Sequence, residues 1–359
     1  MSSQAVRLVD VARAAGVSMP TASQVMNGTG RVAEETRRRV LEAARRLDYR
    51  PNALARSVAS GRSRTIGVLA ENAAGAFCMP VLIGINRELS SHDFASILFD
   101  AHHDAELRHE HVRRMLDRQV DGIIVIGEGA DVPIAPLGVD FVGPVVRAYG
   151  PPDAEGAVSI HPDEFEGGVL AARRLVEMGR TRIAHVTAGG DLTSARERER
   201  GFLHALAEAG LEPAAILHGS FSRSWGLEAA VEIVETVPAV DAVFAGSDAI
   251  AVGLAAGLES RGRSVPGDVA LIGYDNLAGY SDDTQPYLES VDPRLTEVGH
   301  AAARYLVGVL AGGDSSSSAP IGPALAPGAS TRGDADPARQ SLVDALLRSI
   351  TAPPVGSTL

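Results

Sequence analysis

Apolar positions recur in two rhythms along this chain, and the change comes near residue 64. Before it the spacing is helical. Leu8, Val11, Ala12 and Ala15 fall on one face of a short helix over residues 7–15. Gly16 supplies a turn, and Ser18 then stands where an N-cap belongs, with Thr21 three residues on. Pro20 falls in the first turn, where its missing N–H has no helical partner to lose. This second helix is poorly suited to burial. Only Ala22, Val25 and Met26 make an apolar face, and Met19, Pro20, Ser23, Gln24 and Asn27 are left outward. A third helix over residues 33–47 turns Val40, Leu41, Ala44 and Leu47 inward beneath an arginine-coated exterior.

From Thr65 onward short β-branched runs alternate with alanine-rich helical stretches. The strand candidates are TIGVLA at 65, ASILFD at 95, GIIVIG at 122, RIAHVTA at 182, AVFAGS at 242 and VALIGY at 269. Strands separated by helical patterns predict parallel sheets built from βαβ units. The stretch is longer than one sheet ordinarily takes, so two lobes are expected. Ligands of such sheets bind beyond the carboxyl ends of the strands, where the lobes face each other.

Three short helices with a glycine turn between the first two describe a helix-turn-helix, whose second helix enters the DNA major groove. Outward residues on that helix are then polar or small because they meet base edges. Gln24 suits a bidentate pairing with adenine N6 and N7. An ordinary helical hairpin fits the same pattern. The next stretch, YRPNALARSVASGRS at 49–63, contains Pro51 to stop the third helix and Asn52 to cap a new one. A helix this short is not stable alone in water, so it would fold only against a partner copy and DNA. Val58 would then be the apolar wedge for the minor groove. A plain linker fits that composition equally well.

Charge sharpens the picture. The whole chain of 359 residues has a net charge of −12, which argues against a polyanionic partner until it is divided. Residues 1–64 hold twelve arginines against five acids, whereas the remainder holds 21 basic and 40 acidic residues. A basic head on an acidic body is expected when only the head meets nucleic acid. Every basic residue besides histidine is arginine. The single cysteine, Cys78, excludes an internal disulfide framework and fits a reducing cytoplasm. Neither an N-terminal signal pattern nor an apolar window long enough for a membrane span is present, so a cytoplasmic chain is expected.

The run from Leu8 to Leu69, LVDVARAAGVSMPTASQVMNGTGRVAEETRRRVLEAARRLDYRPNALARSVASGRSRTIGVL, resembles the amino-terminal domain of the lac repressor family of bacterial transcription regulators. Weaker family motifs continue to about residue 332. The resemblance implies a helix-turn-helix domain over 1–50, a hinge helix or linker over 51–63, a two-lobed effector-binding and dimerisation domain over 64–332, and a tail over 333–359. It implies that Met19, Pro20 and Gln24 face bases with Arg31 beside the groove. Ser18, Thr21, Ser23, Asn27 and Thr36 would touch or position the DNA backbone, and Asn52, Ala55 and Val58 would contact DNA from the hinge. Gln24 replaces an arginine common in the family, and Val58 replaces the usual leucine.

Reading past the strand ends of the body gives Phe77, Ser194, Arg198, Phe221, Ser247, Asp248 and Asp275 as candidate effector contacts. Arg198 and Asp275 could fix hydroxyls by charge-assisted hydrogen bonds, and Phe77 and Phe221 offer flat apolar faces. That mixture suits a sugar. The S-x-x-x-R-x-x-G-F run at 194–202 and GYDN at 273–276 correspond to effector-contacting places in the family and its periplasmic sugar-binding relatives. Ser247 stands where sugar-responsive members commonly have asparagine, and Tyr149 where aspartate is frequent.

Other signals are weaker. His102, His103, His109 and His111 invite a metal, but His109 and His111 point about 200° apart on a helix, so a solvated helix start is expected. The GEG at 127–129 lacks the rest of a dinucleotide fingerprint. The stretch 311–323 reads as a surface loop before a last strand, and the tail's Leu342, Leu346, Leu347 and Ile350 are expected to dock on the body rather than form a coiled coil.

The fold expected is a helical helix-turn-helix head with a hinge helix, followed by an α/β two-lobed body of the periplasmic-binding-protein kind with parallel sheets. The function expected is a homodimeric repressor of near-palindromic double-stranded operator DNA, not an enzyme, controlled by a small-molecule effector, a sugar, bound between the lobes. No cofactor, metal or membrane contact is expected. A sugar-binding protein of the periplasmic-binding type without a DNA role is the alternative, and it leaves the basic head unused. A nucleotide-dependent enzyme would need a phosphate-cradling glycine loop or a catalytic cluster, and neither is legible.

Overall fold

Apolar faces too small to stand alone explain the architecture of the head. The computed structural model describes residues 6–27, 29–49, 61–138, 141–151, 158–277, 287–313 and 319–331. Helices α1 (Leu8–Ala15), α2 (Met19–Met26) and α3 (Glu34–Arg46) bury Val11, Ala12, Ala15, Ala22, Val25, Val40, Ala43 and Ala44 against one another. Leu41 and Leu47, expected inward, are half-buried at the margin, and Ala43 lies in the core. Asp10 accepts the Arg7 N–H at 3.0 Å and so closes the first turn of α1. Gly16 ends that helix at φ 64°, a left-handed conformation that a Cβ would strain, and its N–H returns to Ala12 and Arg13 carbonyls. Ser18 caps α2 by accepting the Thr21 N–H at 3.3 Å.

The body is two lobes. The first contains β1 (Thr65–Ala70), α4 (Cys78–Ser91), β2 (Ala95–Asp100), α5 (Ala105–Asp117), β3 (Gly122–Ile126), β4 (Val145–Ala148) and β5 (Val158–Ile160). Its sheet runs β2-β1-β3-β4-β5. The second contains α6 (Glu164–Glu177), β6 (Ile183–Ala188), α7 (Thr193–Glu208), β7 (Ala215–Gly219), α8 (Arg223–Thr236), β8 (Ala242–Ala245), α9 (Asp248–Glu259), β9 (Ala270–Tyr274) and β10 (Glu289–Asp292). The chain then returns α10 (Leu295–Leu310) to the first lobe and β11 (Ala324–Ala326) to the second. The second sheet runs β11-β10-β9-β8-β6-β7. Register is parallel at β1–β3, β3–β4, β4–β5, β6–β7, β6–β8, β8–β9 and β9–β10, and antiparallel only at β10–β11 among the pairs described.

All six strands expected from β-branched runs are present, and β11 follows the loop that was expected to precede a last strand. Strands β4, β5, β7 and β10 escaped notice because they are short and carry Arg147, Ser159, His218 and Glu289 in place of a continuous apolar run. The histidine run needs a correction. His102 and His103 are exposed ahead of α5, but His111 is buried, its Nε2 3.1 Å from the Asp100 carbonyl and its ring 4.8 Å from Phe99. Helix α5 turns that face onto the sheet, so the run is not a uniformly solvated helix start. Among the described residues no group of three or more His, Cys, Asp or Glu is placed to hold a metal ion. No helix among them is long and apolar enough to cross a membrane. Asn52, Ala55 and Val58, expected to contact DNA from a hinge, and the tail over 333–359 lie outside the described residues.

Segments passing between the lobes are tied to each other. Pro162 and Ile321 form a parallel bridge, with the Asp163 N–H donating to the Ile321 carbonyl and the Ile321 N–H to the His161 carbonyl, both at 2.9 Å. Arg294, at φ 55°, turns another of the crossings into α10.

Helices pair through reciprocal glycines. Gly84 of α4 faces the backbone of α10, and Gly299 of α10 faces that of α4. Gly168 of α6 and Gly201 of α7 do the same, as do Gly226 of α8 and Gly253 of α9. A Cβ at any of these positions would collide with a carbonyl oxygen of the facing helix. Gly308, on α10, has nothing within 4 Å of where its Cβ would stand. Substitution should therefore have opposite signs at two helical glycines. Gly168→Ala is expected to destabilise by about 1–3 kcal/mol through overpacking, whereas Gly308→Ala should stabilise by about 0.5–1 kcal/mol through helix propensity. Urea unfolding of the two variants reads both; a neutral Gly168→Ala would mean that the helices can separate at no cost.

Candidate functional site

Between the lobes lies a cleft of about 210 Å³. Its first-lobe wall is the loop after β3, with Glu128, Gly129, Ala130 and Asp131, together with Phe77 at the head of α4 and Tyr149 just past β4. Its second-lobe wall is Glu164 on α6, Ser194 and Arg198 on α7, Phe221 past β7, Ser247 and Ala249 around the start of α9, and Asp275 and Leu277 past β9. The aromatic rings supply apolar surface, with Phe77 and Tyr149 centroids 5.4 Å apart at 60°.

Arg198 organises the floor. Its Nε donates to Glu164 Oε2 at 2.8 Å and its Nη1 to the Gly246 carbonyl at 2.6 Å, while Asp275 Oδ1 lies 3.9 Å from Nη1. The guanidinium lies over the Tyr274 ring, 3.6 Å from its centroid, and 5.5 Å from that of Phe221. Side-chain exposure is only 5% for Arg198 and 8% for Glu164, so the pair is desolvated. Burial by itself would weaken the arginine's hold on its proton. Glu164, Tyr274 and Asp275 outweigh that and keep its pKa above the usual value. Burial pushes the Asp275 carboxyl well above the ordinary aspartate range, against the opposing pull of Arg198. Tyr149 is likewise pushed up by burial, and by Asp275 and Glu164 in addition.

A hydrogen-bonded contact bridges the lobes. Asp131 accepts the Ser194 N–H at 2.9 Å and the Ser194 hydroxyl through its other oxygen. The carboxylate thus sits at the N-terminus of α7, where the helix dipole favours negative charge.

On the head, α2 presents its outward face to solvent. Met19 is 56% exposed, and Pro20, Gln24 and Asn27 are exposed beside it. The polar groups are pre-arranged in pairs, Ser18 Oγ with Thr21 Oγ1 at 2.8 Å and Asn27 Nδ2 donating to Ser23 Oγ at 3.2 Å. The Gln24 amide lies against Gly30, where a Cβ would come within 3.0 Å of its Cδ. Arg31, Arg39, Arg45 and Arg46 are exposed, and Thr36 is half-buried in the first turn of α3.

Comparison with known families places both parts. Residues 7–52 match the bacterial regulatory proteins of the lacI family, and residues 63–324 match the periplasmic binding proteins and sugar binding domain of LacI family. The chain belongs to the LacI family. The HTH-type transcriptional regulator CelR of Thermobifida fusca is 34% identical, over 84% of this chain and 91% of that protein. Among solved structures, a complex of the transcriptional regulator CelR with cellobiose matches with a TM-score of 0.58 and 28% identity, covering 90% of this chain and 99% of the other. A lac repressor dimer bound to operator and the anti-inducer ONPF shares the fold at a TM-score of 0.67 and 23% identity, over 91% of this chain and 99% of that one. These relatives are transcription regulators, and this LacI-family chain is a regulator rather than an enzyme.

Of the expected effector contacts, the structure gathers Phe77, Ser194, Arg198, Phe221, Ser247 and Asp275 around the cleft. Asp248 is a correction. Its carboxylate turns away from the cleft, taking the Ser290 hydroxyl at 2.7 Å and the Leu277 N–H at 2.8 Å, and burial raises its pKa to about 6. The Ser247 hydroxyl caps α9 by accepting the Ile250 N–H at 3.2 Å, a local task as well as a lining one. Sequence reasoning missed Glu128, Gly129, Ala130, Asp131, Glu164, Ala249 and Leu277 as lining residues. The first four lie just past GIIVIG, so the strand-end rule applied there would have found them. Glu164 lies at the start of α6, after a strand that was not expected, and carried no such signal.

Removing Arg198 would leave buried carboxylates without their cation. Arg198→Ala is therefore expected to cost about 3–5 kcal/mol in unfolding free energy, and Arg198→Met combined with Glu164→Gln should recover most of it. Denaturant titration of these proteins together with the Arg198→Met and Glu164→Gln single variants checks this, and additive losses in the double variant would show that the two side chains act independently.

Proposed function

We propose that this LacI-family regulator is a cytoplasmic repressor that binds near-palindromic operator DNA as a homodimer and is controlled by a small polar effector, a sugar, held between the lobes of its body. The observation that carries the reading is the convergence of Phe77, Ser194, Arg198, Phe221, Ser247 and Asp275 from both lobes on one cleft, in a chain whose α2 offers an exposed polar face. Flat rings beside charged hydrogen-bonding groups match the apolar faces and hydroxyl rim of a sugar. The solved complex of CelR with cellobiose supports that choice.

Met19, Pro20 and Gln24 read bases, Arg31 lies beside the groove, and Ser18, Thr21, Ser23, Asn27 and Thr36 position the DNA backbone. Asn52, Ala55 and Val58 add contacts from the connecting segment. Met79 and Ile83 on one face of α4, with Leu98 on edge strand β2, are exposed apolar side chains suited to a second copy. Control follows from differential affinity. An effector that fits one lobe arrangement better shifts the balance between arrangements, and moving it from 1:99 to 99:1 takes about 5.5 kcal/mol of preference.

Footprinting of the DNA upstream of the protein's own gene, with and without a panel of sugars, tests the whole reading. A protected near-palindrome that one compound abolishes or strengthens is the expected outcome. No protection under any condition would favour a sugar-binding protein without a DNA role. Gln24→Ala should change the preferred operator sequence by about 1–3 kcal/mol at one base pair per half-site. Affinity should fall with salt on a log–log slope of about −0.9 per phosphate contact, for about six to ten contacts. Arg198→Lys keeps the charge but loses the planar fork, so operator binding should persist while the effector response is lost; a normal response would remove Arg198 from the site.

A further inference from the structure

The charge of the cleft restricts what can enter it. Among the described residues four carboxylates line it, Glu128 and Asp131 from the first lobe and Glu164 and Asp275 from the second, against the one guanidinium of Arg198. That guanidinium is already engaged, with Glu164 at 2.8 Å, the Gly246 carbonyl at 2.6 Å and Asp275 at 3.9 Å. No lysine exists in the chain to offset the acids. Behind the wall the His103 imidazole, exposed to solvent, places its Nε2 3.1 Å from Glu128 Oε2. Even with Asp275 neutral, the remaining three carboxylates outnumber Arg198. The rings of Phe77, Tyr149 and Phe221 present electron-rich faces, which also favour positive over negative charge.

We infer that the cleft admits uncharged or amine-bearing rings and turns away rings that carry phosphate or carboxylate, with Glu128 and Asp131 as the residues that set this selection. The inference rests on the cleft being the effector site and deepens that reading by naming the effector's charge class. The two first-lobe carboxylates matter most because, among the described residues, neither is paired with an arginine in the cleft. Glu128 Oε1 takes the Asn72 amide at 3.1 Å, and Asp131 takes the neutral donors of Ser194. An incoming anion would meet both charges at short range inside a site walled by low-dielectric side chains.

A cysteine placed in the cleft measures this without knowledge of the natural effector. Ala249→Cys, in full-length protein carrying Cys78→Ser, reacts with methanethiosulfonates of similar size bearing either trimethylammonium or sulfonate. Normalised to the same two reagents on N-acetylcysteine, the cationic one is expected to react at least about tenfold faster, the lower end of what focused fields in clefts produce. Adding Glu128→Gln should bring the ratio down. A ratio at or below one, or a ratio indifferent to Glu128→Gln, overturns the inference. Ala130→Cys, on the opposite wall, repeats the measurement should the first variant fail to fold. Failure of the underlying reading shows elsewhere, as operator binding that answers to no sugar in the footprinting titration. A phosphorylated sugar emerging there as the strongest responder would leave the reading standing and overturn the charge class.

Discussion

Close approach of α6 and α7 is the constraint on which the cleft depends. Gly168 and Gly201 let the two helix backbones touch, and that contact fixes the separation and register of Glu164 on one helix and Arg198 on the other. The guanidinium, once placed, reaches across to the Gly246 carbonyl beyond β8 and lies on the Tyr274 ring from β9. Two strand ends and two helices are thereby referred to one planar cation. A desolvated ion pair of this kind is seldom the cheapest way to hold a fold together, because apolar replacements of similar volume often do as well. Its presence here is better understood through what it presents: a rigid fork and carboxylates on the floor of a cavity between two lobes.

The lobes are separately packed units. Each has its own sheet and core, and the chain crosses between them through segments that pair with each other at Pro162 and Ile321. Small loop segments can absorb the dihedral changes of closure while the packed layers stay rigid. Asp131 and Ser194, meeting from opposite lobes, give one arrangement a specific hydrogen-bonded contact. A molecule entering the cleft acts on that balance only to the extent that it prefers one arrangement over the other.

The head was almost wholly legible in sequence. Its helices lie within a residue of the spans expected from apolar spacing, Gly16 and Ser18 perform the turn and the cap, and the weak apolar face of α2 leaves Gln24 exposed. Five of the six strands found from β-branched runs are buried on both faces and so read as continuous apolar stretches, whereas the edge strand β2 showed through its length. Strands such as β5 and β10 carry too few residues to establish a period. They exist because a neighbouring strand offers a ladder of unpaired backbone groups, which no local pattern encodes.

Local chemistry in the sequence determined which residues could cap, turn, pair with bases or hydrogen-bond a ligand, because those capacities reside in single side chains and their nearest neighbours. It therefore named six of the residues that surround the cleft. Tertiary structure alone decided that Asp248 turns toward Ser290 and away from the cavity, and that Glu164 joins the wall. Those outcomes depend on how two separately folded sheets face each other and where helix backbones touch. The distances that set them arise between residues far apart in the chain, and no window of sequence contains both partners.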